Sequence, residues 1–203
     1  STPIKSSAAS DVYKRQGGSV AALNGAIASA LAAMVAGLTI GKKGYEDTGE
    51  IMKHIQTLAL TQKTGFVVDI DRDSEAYNKV FDCFKLPKST DEEKKIRTAA
   101  IQEATKFAAL VPMQVARNAY ELMGIIADVA KMGNRNAVTD ACVAMISARS
   151  AVLAALMNVR INLGSLKDRT FVEQLQSEAD ELERKACIKE KELLDAINQD
   201  LRI

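Results

Sequence analysis

From Val20 to Ile40 the chain reads VAALNGAIASALAAMVAGLTI, 21 residues without a single charge. As a helix rising 1.5 Å per residue this stretch is about 30 Å long, enough to cross a bilayer. Its apolar content is mostly alanine, however, and Asn24, Ser29 and Thr39 interrupt it. Such a segment inserts poorly into lipid. Gly25 and Gly37 add surface for close approach of other helices. The expectation is a central helix buried all round by its neighbours, small enough in its side chains to serve a tight homodimer. The competing single-span reading predicts a requirement for detergent.

A second run of the same character, Val138 to Ile161, offers Cys142, Met145, Val152, Leu156 and Val159 as a buried face. Between the two, Ile51, Ile55, Leu58 and Phe66 follow helical spacing. GFVVDID (Gly65 to Asp71) has the β-branching of a short strand but no partner strand, so the spacing predicts a helix continuing to about Phe84. Pro87 breaks the pattern, and Thr90 followed by Glu93 has capping-box spacing for a third helix. Ile96, Ala100, Phe107, Val111, Val115, Ala119, Leu122, Ile126 and Val129 carry that helix across Pro112 to Gly133. A last amphipathic helix is marked by Phe171, Leu175, Leu182, Ala186, Leu193, Ile197 and Leu201 among Glu/Lys pairs. The fold class that follows is all-α, a bundle of five or more long helices around two buried Ala-rich ones.

Charge and composition exclude several functions. With 27 Lys and Arg against 26 Asp and Glu there is no broad electrostatic footprint for nucleic acid or an anionic membrane. Cys83, Cys142 and Cys187 lie far apart, which supports neither a disulfide framework nor a thiolate metal site and suits a cytoplasmic protein. His54 is the sole histidine, so no metal centre needing two imidazoles can form; the expectation is no metal at all.

Residues 1–10 are polar and patternless, without the apolar core of a signal peptide. Asp11 to Gln16 (DVYKRQ) is the translation of a transposon mosaic end used in sequencing libraries. Residues 1–16 are therefore expected to be an irregular, artefactual segment, and 17–203 a single helical domain.

Four constellations could carry chemistry. Gly17, Gly18 and Ser19 lead into the first apolar helix, where free N–H groups and the dipole favour an anion, or where Ser19 simply caps. Lys42 and Lys43 lie at its other end between Gly41 and Gly44, as dipole-compensating lysines would. Asp69, Asp71, Asp73 and Glu75 form like-charged i,i+4 pairs, either a solvated face or a source of one carboxyl drawn into a cleft with a raised pKa. Asn136 can cap the second apolar helix and Asp140 can favour its dipole, while Asn158 and Asn162 set two amides on one face near its end.

Taken in order, GGSVAALNGAIASALAAMVAGLTIGKK (Gly17 to Lys43), DRDSEAY (Asp71 to Tyr77), KLPKSTDEEKKIR (Lys85 to Arg97), AAIQEA (Ala99 to Ala104), GNRNAVTDA (Gly133 to Ala141) and NVRINL (Asn158 to Leu163) resemble the folate cyclodeaminase/cyclohydrolase family. The resemblance covers Gly17 to the C-terminus. It implies an all-helical homodimer with a tetrahydrofolate site near helix ends at the dimer interface, and no cofactor beyond that substrate. Family members cyclise 5-formiminotetrahydrofolate to 5,10-methenyltetrahydrofolate with loss of ammonia, or hydrolyse the methenyl bridge to 10-formyltetrahydrofolate. The family's catalytic aspartate falls on Asp73 by the D-x-D-x-E-A-aromatic pattern. Substrate-facing roles are implied for Gly17, Gly18, Ser19, Lys42, Lys43, Asp140, Asn158 and Asn162, the lysines suiting the glutamate tail of folate, polyglutamylated forms included.

One departure stands out. The family reads Pro-Gly-Gly-Gly-Ser before the first helix, and here Arg15-Gln16-Gly17-Gly18-Ser19 occupies that place. The resemblance leaves open cyclohydrolase or cyclodeaminase activity, and a separate formiminotransferase as partner. The alternative from another class is a non-catalytic helical dimerisation or folate-binding module that retains the fold.

Overall fold

The computed structural model of the chain describes residues 17–201, so the expectations for residues 1–16 lie outside it. Its helices are α1 (Gly17–Gly37), α2 (Gly49–Cys83), α3 (Asp91–Met132), α4 (Val138–Leu163) and α5 (Arg169–Leu201). Single 3₁₀ turns at Glu46–Thr48 and Arg135–Ala137 precede α2 and α4, and there is no strand among the described residues. The GFVVDID run lies inside α2, because without a partner strand its backbone groups are satisfied only by the helix.

Alanine sets the spacing in the middle of the bundle. α1 and α4 are in contact, and both bury alanine completely, among them Ala21, Ala28 and Ala32 on α1 and Ala144, Ala148 and Ala151 on α4. The pair is antiparallel: Gly17 stands beside Asn158 at one end, and Lys42 reaches Asn134 at the other. Larger side chains enter where glycine makes room. Phe66 of α2 fills a notch at Gly25, where an added Cβ would stand 2.7 Å from the ring. The buried stripe of α2 is Met52, Ile55, Ala59, Phe66, Asp69 and Ala76, one position off the Ile51 and Leu58 of the sequence reading, which are exposed.

α3 touches all four other helices. The Thr90 capping box forms as expected, with Thr90 Oγ1 accepting from Glu93 N–H at 3.2 Å and Glu93 Oε2 accepting from Thr90 N–H at 3.0 Å. The helix runs through Pro112 without stopping. α5 is strapped on by arginines of α3 and α4: Arg117 forks onto Glu178 at 2.6 and 2.7 Å, Arg149 meets Glu190 at 2.9 Å, and Arg160 pairs with Asp180 and Glu183.

Two expectations about the apolar helices are corrected. α1 is not buried all round within the chain: Val20, Leu23, Ile27, Met34 and Leu38 form an exposed stripe, 42–51% accessible, on the side α3 does not cover. α4 carries a matching stripe in Val143, Ile146, Met157 and Ile161. Both helices are apolar on every face, so periodicity gave no sign of which face is covered. Cys142, expected in the buried face, is only half-buried and packs at the margin of the core.

Candidate active site

Asp73 lies in the second half of α2, directly over the first turn of α1. Gly17, Gly18 and Ser19 belong to that turn and are not a loop before it; Ser19 is not a cap. Ser19 Oγ donates to Asp73 Oδ2 at 3.1 Å and lies 3.3 Å from Ile70 O. The approach requires a missing side chain, since a Cβ on Gly18 would stand 2.1 Å from Asp73 Oδ1. Burial pushes the Asp73 carboxyl above the usual carboxylate range, and the Ser19 hydroxyl and N–H pull part of the way back.

The acidic cluster divides by face. Asp69 is buried with Asp73 on the inner side, its carboxyl pushed up by burial and held by Arg72 Nη1 at 3.1 Å. Asp71 and Glu75 face solvent. Each i,i+4 pair thus stays on one side of the helix: solvent screens Asp71 and Glu75, while Arg72 and Ser19 meet Asp69 and Asp73 separately.

Asp73 opens onto a cavity of about 370 Å³ built from α2, α3 and α4. Tyr77, Val80, Phe81, Phe84 and Ile101 supply apolar and aromatic wall; Asn158 and Asn162 supply amides. Among the described residues no Lys, Arg or His lines it. Gln102 ties the α4–α5 loop to α3, donating to Ser165 O at 3.0 Å and accepting from Lys167 N–H at 2.8 Å. Sequence reasoning found Asp73, Asn158 and Asn162 but missed the aromatic wall; Tyr77, one turn beyond Asp73, was the available signal. A wider cleft of about 800 Å³ lies between α3 and the end of α5, and none of the expected site residues lines it.

The other expected residues gather at the far end of α1, about 30 Å away along a 21-residue helix. There Gly41 and Gly44 take the left-handed conformation (φ 70° and 87°) that lets the chain turn back. Lys42 Nζ donates to Asn134 Oδ1 at 2.6 Å, while Lys43 is exposed and Asp140 half-buried in the first turn of α4. Asn134, not Asn136, is the capping residue: it caps the Arg135–Ala137 turn, its Oδ1 accepting from Asn136 N–H at 3.1 Å, and Ala137 precedes α4 without a side-chain cap. Asn134 N–H in turn donates to Thr39 Oγ1 at 2.9 Å. Within one chain, therefore, Lys42, Lys43 and Asp140 do not meet Asp73. Among the described residues no three His, Cys, Asp or Glu side chains converge as a metal-ligand set.

An all-helical bundle with a buried carboxylate over a glycine-rich helix start defines the class. The chain belongs to the formiminotransferase-cyclodeaminase family, whose model matches residues 6–181. It is 41% identical over 170 residues to a methenyltetrahydrofolate cyclohydrolase of Methylorubrum extorquens, covering 82% of this chain and 80% of that one. It is 32% identical to the formimidoyltransferase-cyclodeaminase of Rattus norvegicus over 158 residues, 78% of this chain but only 29% of the rat protein. The crystal structure of a formiminotetrahydrofolate cyclodeaminase from Thermotoga maritima superposes with a TM-score of 0.77 at 30% identity, over 97% of both chains.

Proposed function

We propose that the chain is a tetrahydrofolate one-carbon enzyme in which Asp73 moves the protons, with hydrolysis of 5,10-methenyltetrahydrofolate as its first reaction. The observation that carries this reading is a half-buried carboxylate, raised in pKa, at the head of a cavity walled by Tyr77, Phe81 and Phe84. A carboxylate there stabilises the cationic methenyl carbon. Water adds to that carbon as Asp73 takes its proton, giving a hydroxyl adduct; the bond from carbon to N5 then breaks as that proton is passed to N5, and the adduct's hydroxyl gives its own proton to the freed carboxylate and on to solvent as the C=O forms, leaving the formyl group on N10. In the cyclodeaminase direction the same carboxylate takes the N10 proton as N10 attacks the formimino carbon and returns it to the departing nitrogen. The similarity to the Methylorubrum cyclohydrolase over most of both chains favours the hydrolytic reaction.

The working unit is a homodimer joined through the exposed stripes of α1 and α4. A two-fold axis across this antiparallel pair sets the second subunit's α1 in the opposite sense. Its Lys42, Lys43 and Asp140 then lie at the Asp73 end of the first subunit, where lysines meet the glutamate tail of the folate. The split of the expected residues between two helix ends supports this arrangement.

The test follows the near-ultraviolet absorbance of 5,10-methenyltetrahydrofolate at a pH where spontaneous hydrolysis is slow. Decay faster than the blank is expected. Decay at the blank rate, with release of ammonia from 5-formiminotetrahydrofolate, would move the assignment to cyclodeaminase; neither reaction would remove the enzymatic reading.

A further inference from the structure

Pro112 sits in the middle of α3 and has no N–H to give the carbonyl four residues before it, that of Ala108. A buried carbonyl left over in this way needs another donor. Asn162 of α4 supplies it: its Nδ2 donates to Ala108 O at 2.9 Å and to Asn158 O, also at 2.9 Å. Both partners are carbonyl oxygens, which only accept, so the amide cannot be turned over without setting oxygen against oxygen. Its Oδ1 is thereby fixed as an acceptor on the cavity wall, and no donor among the described residues meets it.

Asn158 is oriented in the same way, its Nδ2 donating to Ala154 O at 2.8 Å. It stands beside Gly17, next to the Gly18 that lies under Asp73. Asn162 follows one turn further along α4, about 6 Å away. The polar side of the cavity thus runs Asp73, Asn158, Asn162: a carboxylate and two carbonyl oxygens in a row. The apolar lining of Tyr77, Val80 and Phe81 comes from α2, which also carries Asp73. Such a slot suits a flat ring that carries N–H donors along one edge.

We propose that Asn162 Oδ1, held in place by the carbonyl that Pro112 leaves free, accepts an N–H from the 2-amino group of the ligand's pteridine ring and so determines which ring the cavity takes. This rests on the folate reading of the Asp73 site. Asn162 is the specificity-determining residue; Pro112 is a positioning residue that acts through Ala108 O.

Two probes test it by calorimetry: 5-formyltetrahydrofolate and its 2-desamino-2-methyl analogue, which lacks the donor. The wild-type protein should bind the amino probe about 10-fold more tightly, the worth of one hydrogen bond to a buried acceptor. Asn162→Ala should bind both probes alike. Pro112→Ala returns an N–H to position 112, which competes for Ala108 O, and should shrink the ratio to about 2–5-fold while leaving helix content unchanged. A variant that is merely destabilised weakens both probes together and leaves the ratio at its wild-type value, so an unchanged ratio in Asn162→Ala overturns the inference. If the wild-type protein binds neither probe at millimolar concentration, the folate reading itself fails.

Discussion

The Asp73 carboxylate occupies the space that any side chain at position 18 would need: a Cβ on Gly18 would stand 2.1, 2.5 and 2.7 Å from Asp73 Oδ1, Cγ and Oδ2. Gly18→Ala must therefore push the carboxylate off Ser19. Overpacking of this kind costs about 1–3 kcal/mol, but here the displaced group is the one proposed to carry the protons. The expected result is a loss of turnover of about 10²-fold or more with a modest drop in urea midpoint, measured side by side. Full activity in Gly18→Ala would show that the carboxylate position is immaterial.

Asp73→Asn keeps the shape of the side chain and removes its proton chemistry. Turnover should fall by about 10²–10⁴-fold while folate affinity changes little. Stability should move the other way. Folded Asp73 holds its proton to higher pH than the unfolded chain does, so its contribution to stability is most favourable below the ordinary carboxylate pKa and is lost as pH rises through the raised folded value. Urea melts from pH 3 to 8 should give equal stabilities at the acid end and a more stable Asn variant at neutral pH.

Leu23 and Met157 are 47% and 59% exposed in the single chain, on the two helices that would form the subunit contact. Leu23→Glu or Met157→Glu should yield monomers by sedimentation, with helix content retained and activity lost. A mixing experiment goes further. Asp73→Asn subunits combined with Lys42→Ala/Lys43→Ala subunits contain one intact composite site per heterodimer, so the mixture should recover activity that neither parent shows. Failure to complement would place each site within one chain.

Thr39 Oγ1 donates to Val35 O at 2.8 Å and accepts the buried Asn134 N–H at 2.9 Å, joining the end of α1 to the turn before α4. Thr39→Val leaves that N–H without an acceptor and should destabilise the fold by about 1–3 kcal/mol, whereas Thr39→Ser should be close to neutral. Urea titration of the two variants separates the hydrogen bond from the methyl group.

The helices were legible because their boundaries have local chemistry: the Thr90–Glu93 box, Gly133 at the end of α3, and Pro87 after α2. Asp73 was legible through its motif, which singled it out from four acids; burial alone would have favoured Asp69. Other features were not. In α1 the hydrophobic contrast between faces is too small to say which side solvent reaches, so the stripe from Val20 to Leu38 was read as core. Asn134 and Asn136 are equally good caps as residues, and only Thr39 and Lys42, more than 90 positions away, decide between them. The link from Pro112 to Asn162 crosses between helices and leaves no periodic trace.

α1 also acts as a ruler. With Asp73 over its first turn and Lys42 just past its last, the distance between the two halves of the expected site is fixed by the number of residues in one helix. Inserting a turn of good helix formers near Ala30 would cost little by propensity, yet it would shift one end by about 5.4 Å against the other. In the proposed homodimer the length of this segment is set by the dimensions of what the two subunits hold between them, and the stability of the bundle alone would accept a longer or shorter one.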